Sequence, residues 1–184
     1  LFPQKKVIYS NLIEKLRYGE NPHQEGAIYS QKKLNIKQLN GKQLSYNNYS
    51  DIFSALSITK SLPKNTGTAI IKHENPCGVS INKNNLQSYK QALASDPVSA
   101  FGGIVSCNFK INKKLAQELK KIFFEVIICN GIENNALKIL KRKKNLRIID
   151  ASNYHNTNQY NISSKFDSYL FQNSDLTPFS KSNF

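Results

Sequence analysis

Between residues 66 and 150 short apolar runs alternate with stretches of helical periodicity, and this alternation constrains the fold more than any other feature of the chain. The runs are Thr68-Ala69-Ile70-Ile71-Lys72, Gly103-Ile104-Val105-Ser106-Cys107, Val126-Ile127-Ile128-Cys129 and Leu146-Arg147-Ile148-Ile149. Short runs this rich in Ile and Val suit strands covered on both faces. Between them, Leu86, Tyr89 and Leu93 fall at helical spacing. Leu115, Leu119, Ile122 and Phe123 form a stripe behind Asn112, a suitable helix cap, and Ala136, Leu137 and Leu140 suggest a further helix. An earlier helix is predicted over 51–61, carrying Ile52, Phe53, Ala55, Leu56 and Ile58 behind a cap at Ser50 or Asp51. Strands alternating with helices of about ten residues predict an α/β fold of mainly parallel βαβ units, with helices on both sheet faces. Residues 1–15 read as a linker or edge segment, 16–150 as the folded body, and 151–184, polar with scattered aromatics, as an irregular tail and the start of an incomplete remainder.

The charge balance narrows the function. The chain carries a formal net charge of +14, which invites a nucleic-acid reading because basic side chains displace counterions from phosphates. Of the 26 basic residues, however, 23 are Lys and only three are Arg, and Asn is equally abundant at 23. Lys and Asn spread over the whole length fill solvated positions, and the dense cluster from Lys138 to Lys144 reads as an exposed helix end. No nucleic-acid partner is expected. No apolar run reaches the roughly 18 residues of a membrane span, and the N-terminus lacks the order of a secretory signal, so no membrane is expected either. Cys77, Cys107 and Cys129 form no C-x-x-C pair, which argues against a disulfide framework or zinc ribbon and for a reducing, cytoplasmic setting. The absence of Met, even at position 1, predicts a piece of a longer chain or a processed product.

Three segments at loops carry unusual chemistry. Leu16-Arg17-Tyr18-Gly19-Glu20-Asn21-Pro22-His23-Gln24 places a rare Arg beside Tyr and Gly. A guanidinium grips phosphate with two parallel donors, whereas the bland reading is a polar turn shaped by Gly19 and Pro22. Lys72-His73-Glu74-Asn75-Pro76-Cys77-Gly78 follows a buried strand and sets two proton-handling groups at its end. Adjacent strand side chains point to opposite faces, so both reach one site only if the strand ends there. The competing reading is a surface Lys and a satisfied His before a Pro-Gly turn. The same segment holds pieces of a zinc-deaminase signature, but Glu74 follows His73 directly and Ser80 stands where a second Cys would be, so no zinc is expected. Asp96-Pro97-Val98-Ser99-Ala100-Phe101-Gly102-Gly103 enters the second strand, its glycines permitting close approach to a ligand. Ligands of doubly wound sheets bind beyond the carboxyl ends of strands, and the site is expected there.

Together with Leu44-Ser45-Tyr46-Asn47-Asn48 and Glu125-Val126-Ile127-Ile128, these segments occur in an order that resembles the bifunctional purine-synthesis enzymes joining AICAR transformylase to IMP cyclohydrolase. The similarity runs from about residue 16 to 150, and less surely through Tyr169 to Leu176. The resemblance implies formyl transfer from 10-formyltetrahydrofolate, as cosubstrate, to the 5-amino group of the aminoimidazole carboxamide ribonucleotide AICAR, without a metal. It assigns proton movement to Lys72 and His73. It assigns nucleotide binding to Arg17 and Tyr18, with Asn75, Gly102 and Glu125 completing the pocket. The implied fold is a cytidine-deaminase-like α/β/α half-domain without zinc, and the implied working state is a homodimer. The cyclohydrolase domain and the second transformylase half, with its folate contacts, are not recognisable in these 184 residues, and Thr177 to Phe184 do not continue the pattern. Two competing classes are a catalytically inactive remnant that binds nucleotide or nothing, and a basic nucleic-acid binder.

Overall fold

The computed structural model describes residues 2–155 and 160–175. In chain order the elements are β1 (Asn11–Leu16), β2 (Gly26–Ser30), β3 (Lys37–Asn40), α1 (Tyr46–Ser61), β4 (Gly67–Lys72), β5 (Asn75–Ile81), α2 (Asn85–Ser95), β6 (Ile104–Cys107), α3 (Lys113–Leu119), β7 (Val126–Cys129), α4 (Asn134–Leu140), β8 (Arg147–Asp150), β9 (Tyr160–Lys165) and β10 (Ser168–Asn173). The first compact unit runs to Tyr154. At its centre is a six-stranded sheet in the order β3-β8-β7-β6-β4-β5.

The sheet is α/β in character but mixed rather than mainly parallel. β6, β7 and β8 run parallel, whereas β3 on β8, β4 on β6 and β5 on β4 are antiparallel. The cause is the segment after Lys72, which turns back through two residues and pairs as β5, and so short a connection permits only an antiparallel partner. Pro76, Cys77 and Gly78, expected in a turn, lie within this strand. β5 tolerates Pro76 because it is the sheet edge, and its register slips between Ile70 and Ile71, where Gly78 and Pro76 are the successive partners. Gly78 is required by packing: a Cβ there would collide with the Ala92 carbonyl of α2.

Strand alternation sorts the core into two faces. Ile70, Val105, Ile127 and Ile148 join one cluster with Tyr89, Leu115, Leu119 and Leu140 from α2, α3 and α4. Ala69, Ile71, Ile104, Val126, Ile128 and Ile149 join the other with Tyr49, Ile52, Ala55 and Leu56 of α1. The sheet is therefore covered by one helix on one face and three on the other, as the continuous apolar runs predict. Burial of each Ile or Leu contributes about 1.5–3 kcal/mol. Asn108, buried at the end of β6, closes the α1–β4 connection: its Oδ1 accepts from the Thr66 and Gly67 amides, and its Nδ2 donates to the Thr59 and Pro63 carbonyls.

Three boundaries differ from the sequence expectation. α1 begins at Tyr46 behind Ser45, not at Ser50 or Asp51, because Ser45 and Asn48 form a reciprocal capping box. Its first turn is polar and hides from an apolar-period reading. Asn112 caps α3 as predicted, accepting from the Leu115 amide, but the helix ends at Leu119, and Phe123 of the expected stripe is exposed. β1, from Asn11 to Leu16, runs across the end of the expected linker or edge segment (1–15) and pairs antiparallel with β2.

The second unit is not irregular where it is described. β9 and β10 form an antiparallel hairpin, from Tyr160 opposite Asn173 to Lys165 opposite Ser168. Asn and Ser between the aromatics obscure its period. Leu176 and the final residues from Thr177 to Phe184 lie outside the described residues. Among the described residues no helix is long and apolar enough to cross a membrane.

Candidate functional site

The register of the central sheet sets the candidate residues in a row. Ile71 of β4 pairs with Ile104 of β6, Ile104 with Val126 of β7, and Val126 with Arg147 of β8. Lys72 is therefore level with Gly103 and Glu125 along one sheet edge. Because β4 opposes the parallel trio, this edge is the carboxyl end of β4 but the amino end of β6, β7 and β8. Gly102 and Glu125 thus stand at strand starts, whereas Lys72 and His73 lie at the carboxyl end of β4 and Arg17 and Tyr18 at that of β1.

At β4, Lys72 is the last strand residue and is half-buried, while His73, Glu74 and Asn75 are exposed. Lys72 Nζ donates to the Phe101 carbonyl at 2.9 Å, which ties the strand end to the Gly102 turn. His73 and Glu74 both adopt left-handed backbone, with φ of 52° and 62°. Asn75 Nδ2 donates to the His73 carbonyl at 2.7 Å. Behind the turn, Cys77 is held above the usual thiol range by burial first and then by Asp96.

At the entrance to β6, Gly102 has φ of +76°, a conformation that favours glycine. Its amide donates to the Phe123 carbonyl at 2.8 Å, and the Gly103 carbonyl accepts from the Glu125 amide at 3.0 Å. Glu125 Oε2 accepts from Asn48 Nδ2 at 3.0 Å and lies 3.9 Å from Arg147 Nη1. Arg147 is itself oriented by donation from Nε to the Gln43 carbonyl. Asn48 and Arg147 were not singled out as site residues. The signals for them were the third Arg of an Arg-poor chain and an Asn three residues after a capping Ser.

Arg17 and Tyr18 follow β1. Arg17 is exposed with its guanidinium 5.7 Å from the centre of the Tyr18 ring, and among the described residues it forms no ion pair or hydrogen bond. The loop is closed by donation from the Gly19 amide to the Gln24 carbonyl at 2.7 Å. It is anchored to the start of α1: Asn47 Nδ2 donates to the Glu20 carbonyl, and Tyr49 Oη to Glu14 of β1 at 2.9 Å. Arg17 and Tyr18 therefore belong to the loop tied to the same helix turn that holds Glu125, but they make no direct contact with Lys72 or His73.

Two other regions are separate from this edge. A surface hollow between α3 and α4 is lined by Gln117, Glu118, Lys120, Lys121, Ile139 and Arg142, and contains none of the seven candidates. In the basic cluster, Lys138, Lys141, Arg142 and Lys144 are exposed, whereas Lys143 folds back to donate to the Ile122 carbonyl. Among the described residues no three His, Cys, Asp or Glu side chains converge as metal ligands would.

A profile of the AICARFT/IMPCHase bienzyme family matches residues 2–184. The chain belongs to this family. It is 42% identical over 167 residues to the bifunctional purine biosynthesis protein PurH of Caldicellulosiruptor saccharolyticus, a match covering 86% of this chain and 32% of that one. The PurH of Aquifex aeolicus is 38% identical over 185 residues, covering 98% and 36%. That of Acetivibrio thermocellus is 43% identical over 154 residues, covering 80% and 30%. This AICARFT/IMPCHase chain spans about a third of the length of the curated relatives it matches. The family resemblance carried by the loop segments is borne out.

Proposed function

We propose that this chain supplies the nucleotide-binding and proton-handling half of an AICAR transformylase. In this reading the aminoimidazole nucleotide lies along the edge that holds Lys72, Gly102 and Glu125. The Arg17 guanidinium receives the 5′-phosphate, and Tyr18 and Asn75 flank the nucleotide. The 5-amino nitrogen attacks the formyl carbon of 10-formyltetrahydrofolate, the new C–N bond forms, and the bond from that carbon to the folate nitrogen breaks. The amine's proton passes to His73, while the Lys72 ammonium stabilises the oxyanion that develops on the formyl oxygen. As that bond breaks the folate N10 takes up the proton held by His73, which regenerates the base, and tetrahydrofolate and the formamido nucleotide leave. The parent protein would also carry IMP cyclohydrolase.

One observation carries the proposal: a single sheet edge collects Lys72, Gly102 and Glu125, although they lie 30 and 23 residues apart in sequence. An exposed guanidinium beside an aromatic ring, on a loop tied to that edge, adds a phosphate donor of the right shape. Helices on both faces of the sheet support a cytidine-deaminase-like half-fold, which in this reading works without zinc, and three free thiols support a cytoplasmic setting. A homodimer is part of the same proposal.

The experiment is a kinetic comparison in the full-length protein that contains this chain. His73→Ala is expected to lower kcat by roughly a hundredfold or more, the scale of general acid–base catalysis, with nucleotide binding retained. Turnover within about threefold of the unsubstituted enzyme would overturn the proton role.

A further inference from the structure

The β4–β5 connection is a two-residue hairpin turn whose central residues, His73 and Glu74, both have positive φ. Turns of this form ordinarily use Asn-Gly or Asp-Gly, because a Cβ is strained in the left-handed region. Neither residue here is one of those, so the conformation must be imposed by its surroundings.

The surroundings that impose it are on α1. The Glu74 amide donates to Asp51 Oδ1 at 2.7 Å, and Ser54 Oγ donates to the Glu74 carbonyl at 2.8 Å. Asp51 and Ser54 are three residues apart and share one helix face. The His73 carbonyl, in the same peptide unit as the Glu74 amide, accepts from Asn75 Nδ2 at 2.7 Å. The peptide between His73 and Glu74 is thus gripped at its N–H and its C=O, and the next peptide is gripped at its carbonyl. These contacts fix the backbone torsions on both sides of Glu74 and so the direction from which the His73 side chain leaves the turn. Asp51 is also one of the two residues, with Ser50, that the sequence offers as the helix cap, a task the structure gives to Ser45.

We propose that Asp51 and Ser54 are positioning residues, which hold the His73-Glu74 turn in its left-handed form and so set the direction in which the His73 side chain leaves the end of β4. This rests on the transformylase reading above. Neither residue touches substrate; each acts through the turn backbone. A charge-assisted acceptor such as Asp51 is suited to holding a strained peptide, because such bonds are stronger than neutral ones.

The test uses the full-length protein with four variants and His73→Ala assayed beside them. Asp51→Ala is expected to lower kcat roughly ten- to a hundredfold with the nucleotide KM little changed, since misplacement of a reacting group by about 1 Å costs up to a hundredfold. Ser54→Ala should show a smaller loss of the same kind. Asp51→Asn retains an oxygen in the same place and should stay near the unsubstituted rate. Glu74→Gly added to Asp51→Ala should recover much of the loss, because glycine adopts positive φ without strain. A role in general stability alone would not be rescued by a glycine in the turn. Hydrogen exchange measured by mass spectrometry should quicken in the peptide spanning 72–76 in Asp51→Ala and slow again in the double variant. If Asp51→Ala keeps full kcat, or glycine restores nothing, the positioning role is overturned. If His73→Ala itself keeps full turnover, it is the transformylase assignment of His73 that fails, and the exchange result then reports on the turn alone.

Discussion

Asn48 donates from Nδ2 to Glu125 Oε2 at 3.0 Å while its Oδ1 accepts from the Ser45 amide, so one buried side chain joins the cap of α1 to the start of β7. Removing it breaks both bonds. Asn48→Ala is expected to cost about 1–2 kcal/mol, the range for loss of a helix cap, and to loosen Glu125. Asn48→Asp keeps the cap acceptor but sets a second carboxylate against Glu125, so it should weaken nucleotide binding more than its effect on stability suggests. Urea unfolding and nucleotide titration on the same pair of variants check both statements.

Arg17 is exposed, with its guanidinium over the Tyr18 ring, and forms no ion pair or hydrogen bond among the described residues, which leaves its donors open to a ligand. Arg17→Lys should weaken nucleotide binding roughly tenfold or more, since a charge-assisted hydrogen bond contributes on the order of 1.5–3 kcal/mol and an ammonium lacks the planar fork. Calorimetry with the nucleoside lacking phosphate should give the same affinity for both proteins. Equal losses for nucleotide and nucleoside would make Arg17 a structural residue.

Burial pushes the Cys107 thiol up to about 12 from its ordinary 9.0. The folded chain therefore keeps this proton over a range in which the unfolded chain releases it. That contribution to stability is complete below about pH 9 and is lost as pH rises toward 12. Cys129, Tyr49 and Tyr89 are raised by burial in the same sense. Urea midpoints should fall with increasing pH above about 9, and Cys107→Ala should show a shallower fall from a lower starting stability. A midpoint independent of pH over that range would contradict the buried-thiol account.

How much of this was legible in sequence depended on where side chains point. The strands around Ile70, Val105, Ile127 and Ile148 were readable because both their faces are buried and their apolar runs are unbroken. β5 was not, since Pro76 and Gly78 are turn residues by composition and are admitted to a strand only by the sheet edge and the close approach of α2. Missing β5 made the sheet seem mainly parallel and put the expected site at carboxyl ends. The candidate site residues come from loop motifs. Asn48, Asp51 and Arg147 take their holding roles only from what the fold brings against them, which residue type and spacing do not reveal.

The 184-residue chain by itself should not transfer formyl groups. Arg17, His73 and Asn75 are exposed, and the chain spans about a third of the length of the curated relatives it matches. Orientation of both reactants can be worth about 7–11 kcal/mol, most of which is forfeited when the folate is unplaced. Mixing the chain with aminoimidazole nucleotide and 10-formyltetrahydrofolate, and following tetrahydrofolate absorbance, should show no turnover above the uncatalysed rate. Turnover typical of an enzyme would mean that this chain builds a folate site of its own.

In the proposed reading, one edge of the central sheet receives the nucleotide. Hydrogen exchange read by mass spectrometry, with and without the aminoimidazole nucleotide at ordinary salt, tests it most directly. Saturable protection is expected in peptides covering 17–24, 72–76, 101–103 and 124–126, with none in the basic segments 117–121 and 138–144. Protection confined to those basic segments, or none anywhere at saturating nucleotide, would contradict the account.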